Sequence, residues 1–197
     1  MDTIVLASRN EHKIAELREL LKPLGIRLRP ASDFEGLGEV EEDRPTLEGN
    51  ALKKARYVHG ETGLPALADD TGLEVDALDG RPGVYSARYA GQDARDEDNV
   101  TKLLEELAGV AQDDRGAQFR TVVAFVHPSS THTFEGVCRG AILEERRGEK
   151  GFGYDPVFRP EGYRETFAEL EAGEKNRISH RGRALQAFLD WLHTQEF

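Results

Sequence analysis

The sequence predicts an α/β fold in which a mixed central sheet carries flanking helices. Strand-like apolar residues at 3–7 precede Ile14, Leu17 and Leu21, which recur at helical spacing. The apolar run 119–126 is followed by a turn and a second run, which predicts an antiparallel hairpin in the middle of the chain. A chain of 197 residues is long enough for one substantial core, so we expect residues 1–197 to form one domain or two closely packed lobes.

The strands are predicted from short apolar or alternating runs bounded by turn residues. In chain order they cover 3–7, 26–29, 65–68, 73–76, 119–126 and 131–139. The third strand is expected to end at Asp69 and Asp70, because two adjacent acids follow its apolar residues. Polar or turn-rich sequence predicts loops at 8–13, 32–44, 80–91 and 128–130.

The helices are predicted from apolar residues at helical spacing and from signals at their ends. The first carries Ile14, Leu17, Leu21 and Leu24 and is closed by Pro23 and Gly25. Thr46 is the predicted N-cap of a second helix that includes Leu47, Ala51, Ala55 and Val58. Two further helices are expected around 100–107 and 184–192.

Composition and charge restrict the possible partners. The formal net charge of −11 argues against a nucleic-acid partner, because there is no overall positive field to displace counterions. No apolar run approaches the length that spans a bilayer, and the N-terminus does not resemble a signal peptide, so we expect a soluble cytoplasmic protein. Cys138, the single cysteine, is expected to be a buried thiol in a strand.

The turn after the first strand has the character of a phosphate site. It contains Ser8, Arg9, Asn10, Glu11, His12 and Lys13. Main-chain N–H groups at a helix start attract anions, and a hydroxyl, an amide and an ammonium there add donors for phosphate oxygens. It is not the glycine-rich Walker pattern, and an ordinary capped turn with a solvated lysine is the alternative.

Acidic residues supply candidates for catalysis and metal binding. Asp69 and Asp70 point to opposite faces of an extended chain, so one can face a ligand while its neighbour makes structural contacts. A carboxylate there can hold Mg²⁺, orient a water or accept its proton, although an Asx-turn is the alternative. Glu41 and Glu42 lie in an acidic loop that could add a metal ligand or could be solvated surface.

Two segments near the C-terminus could bind a planar base. Phe152, Gly153, Tyr154 and Asp155 combine a ring, a glycine and a carboxylate in a turn, and a tight aromatic turn is the alternative. Lys175, His180 and Arg181 are expected before the last helix and near its start, where they could form a pocket for an anion or a carbonyl, or be solvated charge. No histidine spacing suggests a zinc site.

Taken in order, these motifs resemble the inosine triphosphate pyrophosphatase family, the non-canonical purine NTP pyrophosphatases. The motifs are Ser8-x-Asn10-x-x-Lys13, Asn50-Ala51-x-x-Lys54-Ala55, Ala68-Asp69-Asp70-Thr71-Gly72-Leu73, Pro82-Gly83-Val84-Tyr85-Ser86-Ala87-Arg88-Tyr89, Phe152-Gly153-Tyr154-Asp155, and Lys175 with Ser179-His180-Arg181. They extend from residue 4 to about residue 190. Thr71 stands where many relatives have serine, and the hydroxyl is retained.

The resemblance implies a fold of two lobes around a nucleotide cleft and hydrolysis of ITP, dITP or XTP to the monophosphate and pyrophosphate. It implies that residues 8–13 and Lys54 hold the triphosphate, that Asp70 is the catalytic carboxylate and a Mg²⁺ ligand, and that Thr71 contacts the substrate. Residues 152–155 would contact the base, and Lys175, His180 and Arg181 would read its keto edge. Glu41 or Glu42 would provide a second metal contact, and a homodimer is expected.

Two alternatives remain open from the sequence. One is a Maf-like nucleotide pyrophosphatase with another base preference, against which the Phe-Gly-Tyr-Asp and Ser-His-Arg motifs argue. The other is a catalytically silent nucleotide-binding module, against which the intact pair Asp69 and Asp70 argues.

Overall fold

A computed structural model describes residues 3–22 and 25–195, except for the side chains of residues 12, 16, 19 and 20. The strands are β1 (Thr3–Leu6), β2 (Arg27–Pro30), β3 (Ala66–Val75), β4 (Pro82–Gly83), β5 (Gly116–His127), β6 (Ser130–Ile142) and β7 (Phe158–Pro160). The helices are α1 (Glu11–Leu21), α2 (Leu47–Thr62), α3 (Asp96–Glu106), α4 (Ala172–Ile178) and α5 (His180–His193). The predicted mixed α/β fold is therefore confirmed.

The strands form one mixed sheet in the order β2-β1-β3-β5-β6-β7, with β4 paired to β3. β1 runs parallel to β2 and to β3, and its last residue, Leu6, lies opposite Leu67. Leu73 in the second half of β3 lies antiparallel to Gly83 of β4. Asp69 and Asp70 follow the last parallel pair, so they lie just beyond the carboxyl end of β1.

The chain divides into two compact units. The first comprises the described parts of Met1–Asp70, Thr121–Gly136 and Arg183–Phe197, and the second comprises Thr71–Arg120 and Val137–Gly182. Each has its own apolar core. In the first, buried residues of α1 and α5 surround Phe125; in the second, residues of α3 surround Phe119 and Phe158. Among the described residues, no helix has the length and apolar character that crossing a membrane requires.

Several predicted elements are confirmed. Thr46 is the N-cap of α2, and its side chain accepts a hydrogen bond from Gly49 N. The strands and helices predicted around 3–7, 26–29, 100–107, 119–126, 131–139 and 184–192 occur within a few residues of their expected positions. Cys138 is buried in β6. The predicted helix residue Leu24 and the predicted terminator Pro23 lie outside the described residues.

Three predictions are wrong. β3 does not end at Asp69 and Asp70 but continues to Val75, because both carboxylates are buried against lysines and do not interrupt the strand. The turn at 8–13 is shorter than expected, since α1 begins at Glu11 and includes Lys13. Lys175 lies in the short helix α4, while His180 and Arg181 belong to the first turn of α5.

Candidate functional site

The turn between β1 and α1 is built by its own side chains. Asn10 is the N-cap of α1, because its Oδ1 accepts a hydrogen bond from Lys13 N at 3.2 Å and its carbonyl accepts one from Ile14 N. Ser8 Oγ accepts a hydrogen bond from Asn10 N at 3.2 Å. These contacts hold the start of the helix directly after a buried strand, where main-chain donors attract anions.

Lys13, in the first turn of α1, extends to the middle of β3. Its Nζ lies 2.9 Å from Asp69 Oδ2, and the Asp69 side chain is only 3% exposed. Asp70 makes its contacts with α2 instead. The two adjacent carboxylates therefore meet different helices, which agrees with the alternation of side chains along a strand.

A second cluster surrounds the ammonium group of Lys54. Its Nζ donates hydrogen bonds to Glu42 Oε1 at 2.6 Å, to the main-chain oxygen of Asp69 at 2.7 Å and to Asp70 Oδ1 at 3.0 Å. The side chains of Lys54 and Asp70 are 11% and 8% exposed. One buried cation thus lies among three oxygens from the acidic loop and β3.

Asn50 is a member of this cluster that the sequence prediction of site residues missed. It is fully buried, and its Nδ2 donates to Asp70 Oδ2 at 3.1 Å. Asn50 and Lys54 are four residues apart, so they project from the same face of α2. Two polar residues at this spacing, beside the buried Ala51 and Ala55, are the signal in the sequence that could have indicated the pair.

The carboxylates of this cluster have unusual proton affinities. Burial raises the pKa of Asp70 to about 6, although the Lys54 ammonium opposes the shift; the negative charge of Glu42 adds to the rise. Burial also acts to raise the pKa of Glu42, but attraction by Lys54 outweighs it and leaves that pKa below its usual value. Two close carboxylates therefore depend on nearby positive charge to remain ionised.

The oxygen atoms around Asp70 match the ligands that Mg²⁺ prefers. Asp70 and Glu42 contact the same ammonium, whereas Glu41 is exposed and its main-chain oxygen accepts a hydrogen bond from Lys53. Within the described part of the chain, no three acidic, histidine or cysteine side chains converge to hold a metal. Two carboxylates fit a Mg²⁺ that takes its remaining ligands from water and phosphate.

A third cluster, in the second unit, surrounds Asp155. Its Oδ2 accepts hydrogen bonds from Lys175 Nζ at 2.7 Å and from Phe152 N at 2.8 Å. Gly151 has a φ of +79°, and a Cβ at this position would meet Asp155 Oδ2 at 2.1 Å. Burial raises the pKa of Asp155, while Lys175 acts in the opposite direction. Asp155 thus organises both the turn and the lysine.

The ring of Phe152 lies beside two cations. Lys175 Nζ is 5.1 Å and Arg181 Cζ is 5.4 Å from its centroid. Phe152 and Gly153 are half-buried, and Gly153 N donates to Asp96 Oδ2 at 2.7 Å. Asp96 is a further residue of this region that the sequence prediction missed; its position in the first turn of α3 offered no signal.

Two of the predicted base contacts lie deeper in the second unit. Tyr154 is 4% exposed, and its hydroxyl donates to the main-chain oxygen of Ser86 at 2.8 Å. His180 is also buried, and its ring stacks on Phe119 with centroids 4.5 Å apart. Both side chains therefore make internal contacts within the second unit.

Arg9, Glu11 and Thr71 are the remaining predicted residues whose side chains the structure describes. Arg9 is exposed and donates to the main-chain oxygen of Leu37 at 2.9 Å. Glu11 is exposed in the first turn of α1, and Thr71 is half-buried on β3 next to Asp70. The side chain of His12 lies outside the described residues.

Comparison with known proteins gives a consistent assignment. A model of the Ham1 family matches residues 4–191. The dITP/XTP pyrophosphatase of Desulforamulus reducens is 53% identical over 191 residues, covering 96% of this chain and 95% of that protein. The dITP/XTP pyrophosphatase of Geobacter sulfurreducens is 50% identical over 196 residues, covering 99% and 98%. A HAM1 protein from Coxiella burnetii superposes with a TM-score of 0.91 at 44% identity, covering 99% of this chain and 100% of the other. The resemblance inferred from the motifs is thereby confirmed, and the chain belongs to the Ham1 family.

Proposed function

We propose that this protein hydrolyses non-canonical purine nucleoside triphosphates, namely ITP, dITP and XTP, to the nucleoside monophosphate and pyrophosphate. The observation that carries the proposal is the geometry of the buried Asp70, whose two carboxylate oxygens are held by Asn50 and Lys54. Burial raises its pKa to about 6, which is compatible with a general base near neutral pH. Relatives at 53% and 50% identity are named dITP/XTP pyrophosphatases.

The turn at residues 8–13 and the two buried lysines are assigned to the triphosphate. The start of α1 supplies main-chain donors, and Ser8 and Asn10 supply a hydroxyl and an amide. The ammonium groups of Lys13 and Lys54 each form an ion pair with a carboxylate in this structure. Phosphate oxygens would be alternative partners for both.

Asp70 is assigned to the water that attacks the α-phosphorus. Asn50 and Lys54 hold its two oxygens, so its carboxylate is oriented before substrate arrives. In its ionised form Asp70 accepts the proton of that water. Asp70 and Glu42 are the residues that would hold Mg²⁺, which when bound stabilises negative charge on the phosphates and lowers the pKa of coordinated water.

The cluster around Asp155 is assigned to the base. Lys175 and Arg181 present cationic donors next to the ring of Phe152, on which a purine can stack. Hypoxanthine and xanthine carry an acceptor at position 6, where adenine carries an amino donor. Donors that adenine leaves unsatisfied reject it by roughly 10⁴-fold or more. Asp155 already receives two protein donors, so we assign it to positioning Lys175.

The deciding assay is pyrophosphate release from ITP, dITP, XTP, ATP, UTP and 5-methyl-UTP, with and without Mg²⁺. We expect preference for the 6-keto purines and dependence on the metal. Preference for the pyrimidines would indicate Maf-like specificity, and orthophosphate as first product would indicate chemistry at the γ-phosphate.

Asp70→Asn separates hydrolysis from binding. The amide keeps the size of the side chain but cannot accept the proton, so turnover should fall by roughly 10³-fold or more while ITP binding remains measurable by calorimetry. Unchanged turnover would remove Asp70 from its assigned role.

We further propose that the chain acts as one catalytic domain in a cytoplasmic homodimer. Each unit carries only part of the assigned residues, so neither is expected to hydrolyse ITP alone. Light scattering of the purified protein would measure the oligomeric state, and a monomeric mass would contradict the dimer.

A further inference from the structure

Asn50 uses both halves of its side-chain amide. Nδ2 donates to Asp70 Oδ2 at 3.1 Å, and Oδ1 accepts from Arg44 N at 2.9 Å. Asn50 is 0% exposed, so its amide is shielded from water on all sides. Leaving either half of a buried amide unpaired costs free energy, so both contacts favour this orientation of the Asn50 side chain.

The two contacts connect different parts of the cluster. Arg44 lies two residues after Glu42 in the acidic loop, and Asp70 lies on β3. One turn further along α2, Lys54 contacts both Glu42 and Asp70. The Asn50 amide thus links the main chain of the acidic loop to Asp70 Oδ2. The Lys54 ammonium links the side chains of Glu42 and Asp70.

We infer that Asn50 is a positioning residue. Its amide holds the acidic loop, and with it Glu42, at a fixed position relative to the carboxylate of Asp70. This inference rests on the proposed function. A carboxamide suits the role because it donates to an anion and accepts from a main-chain N–H with one planar group. Partners that orient a metal-binding carboxylate contribute to metal affinity without touching the metal.

Two substitutions separate the two contacts. Asn50→Ala removes both. Asn50→Asp keeps the size and an acceptor for Arg44 N, but in its ionised form it has no donor for Asp70 and places a like charge beside it. We expect both to lower kcat for ITP by about 10²-fold, since small misplacements of a reacting group cost that much. KM should change by less than about threefold, because the turn at residues 8–13 is untouched.

Asn99 provides a matched control. It is a buried asparagine on α3 that accepts from Ala90 N at 2.8 Å and donates to Ala87 O at 3.1 Å, and it belongs to the second unit, whereas Asp70 belongs to the first. Asn99→Ala should lower the melting temperature as Asn50→Ala does, because each leaves buried groups unpaired. It should leave kcat within about twofold.

Metal binding gives a readout that does not depend on turnover. Titration of the nucleotide-free enzyme with Mn²⁺, followed by electron paramagnetic resonance, should show affinity weakened by about 10- to 100-fold in Asn50→Ala and unchanged in Asn99→Ala. Wild-type kcat in Asn50→Asp would overturn the inference, as would equal losses of kcat and Mn²⁺ affinity in the two alanine variants. If the wild-type enzyme itself releases no pyrophosphate from ITP, the proposed function fails instead.

Discussion

Replacing Lys54 by methionine would remove a buried positive charge that contacts Glu42, Asp70 and the main-chain oxygen of Asp69. Methionine has a similar length and restores none of these contacts. Two carboxylates would then share a site without the cation that offsets their burial and their mutual repulsion.

The magnitude can be worked from the geometry. At 3.0 Å and an effective dielectric constant of about 20, the gross attraction between Lys54 and Asp70 is roughly 5 to 6 kcal/mol. Desolvation of the ammonium offsets part of this, and breaking a buried pair by removing one partner costs about 3 to 5 kcal/mol. For a chain of this size, that loss corresponds to a fall in melting temperature of roughly 6 to 20 °C.

The loss should depend on pH with a definite sign. The pKa of Asp70 in the folded protein, about 6, lies above its ordinary value, so the cost of burying its charge appears only as the pH rises through that value. In the wild type Lys54 offsets that cost, whereas in Lys54→Met the hydrogen bond from Asn50 remains but the positive charge is lost. The loss of stability should therefore be larger at pH 8 than at pH 5, because protonation at pH 5 removes the charge of Asp70.

Urea unfolding at pH 5 and pH 8, followed by circular dichroism, measures this difference. Lys53→Met is the matched control, because Lys53 Nζ lies 2.8 Å from Asp43 in a more exposed pair. Such pairs contribute only about 0 to 1 kcal/mol. Mg²⁺ at pH 8 should recover part of the stability of Lys54→Met. A loss no larger than that of Lys53→Met, or one equal at both pH values, would refute the reasoning.

Three further results are expected. At low fixed Mg²⁺, kcat/KM for ITP should fall about tenfold per unit below pH 6, and higher Mg²⁺ should move this limb to lower pH because the cation favours ionised Asp70. Lys13→Ala should weaken binding of ITP and XTP by similar factors in calorimetry; a base-dependent loss would contradict its assignment to phosphate. Gly151→Ala should raise KM for ITP, because the new Cβ meets Asp155 Oδ2 at 2.1 Å, whereas Gly162→Ala, with a similar φ and open space, should not; equal effects would exclude the steric cause.

The elements that could be predicted are those whose signals are local. The N-cap Thr46 and the apolar positions of α2 are encoded within a few residues, and the structure has them as expected. The order of the motifs was sufficient to indicate the family, which the family match confirms. Roles of individual site residues remain predictions, since they depend on a bound nucleotide.

The predictions were wrong where burial changes the structural effect of a polar residue. Two adjacent acids normally end a strand, but Lys13 and Lys54 neutralise Asp69 and Asp70, and β3 continues through them. Nothing in the sequence distinguishes Glu41 from Glu42 as a metal ligand, because both are glutamates in the same acidic loop. The path of the loop brings only Glu42 to the Lys54 ammonium.

The amino-acid order alone determined the α/β class, the family and the residue types that nucleotide hydrolysis requires, because periodicity, capping and short motifs act over a few neighbours. Only the tertiary structure decided which polar and charged side chains contact one another. Asn50 and Lys54, twenty and sixteen residues before Asp70 in the chain, contact its carboxylate because α2 packs beside β3. The raised pKa of Asp70 follows from that burial, and burial is a property of the folded chain.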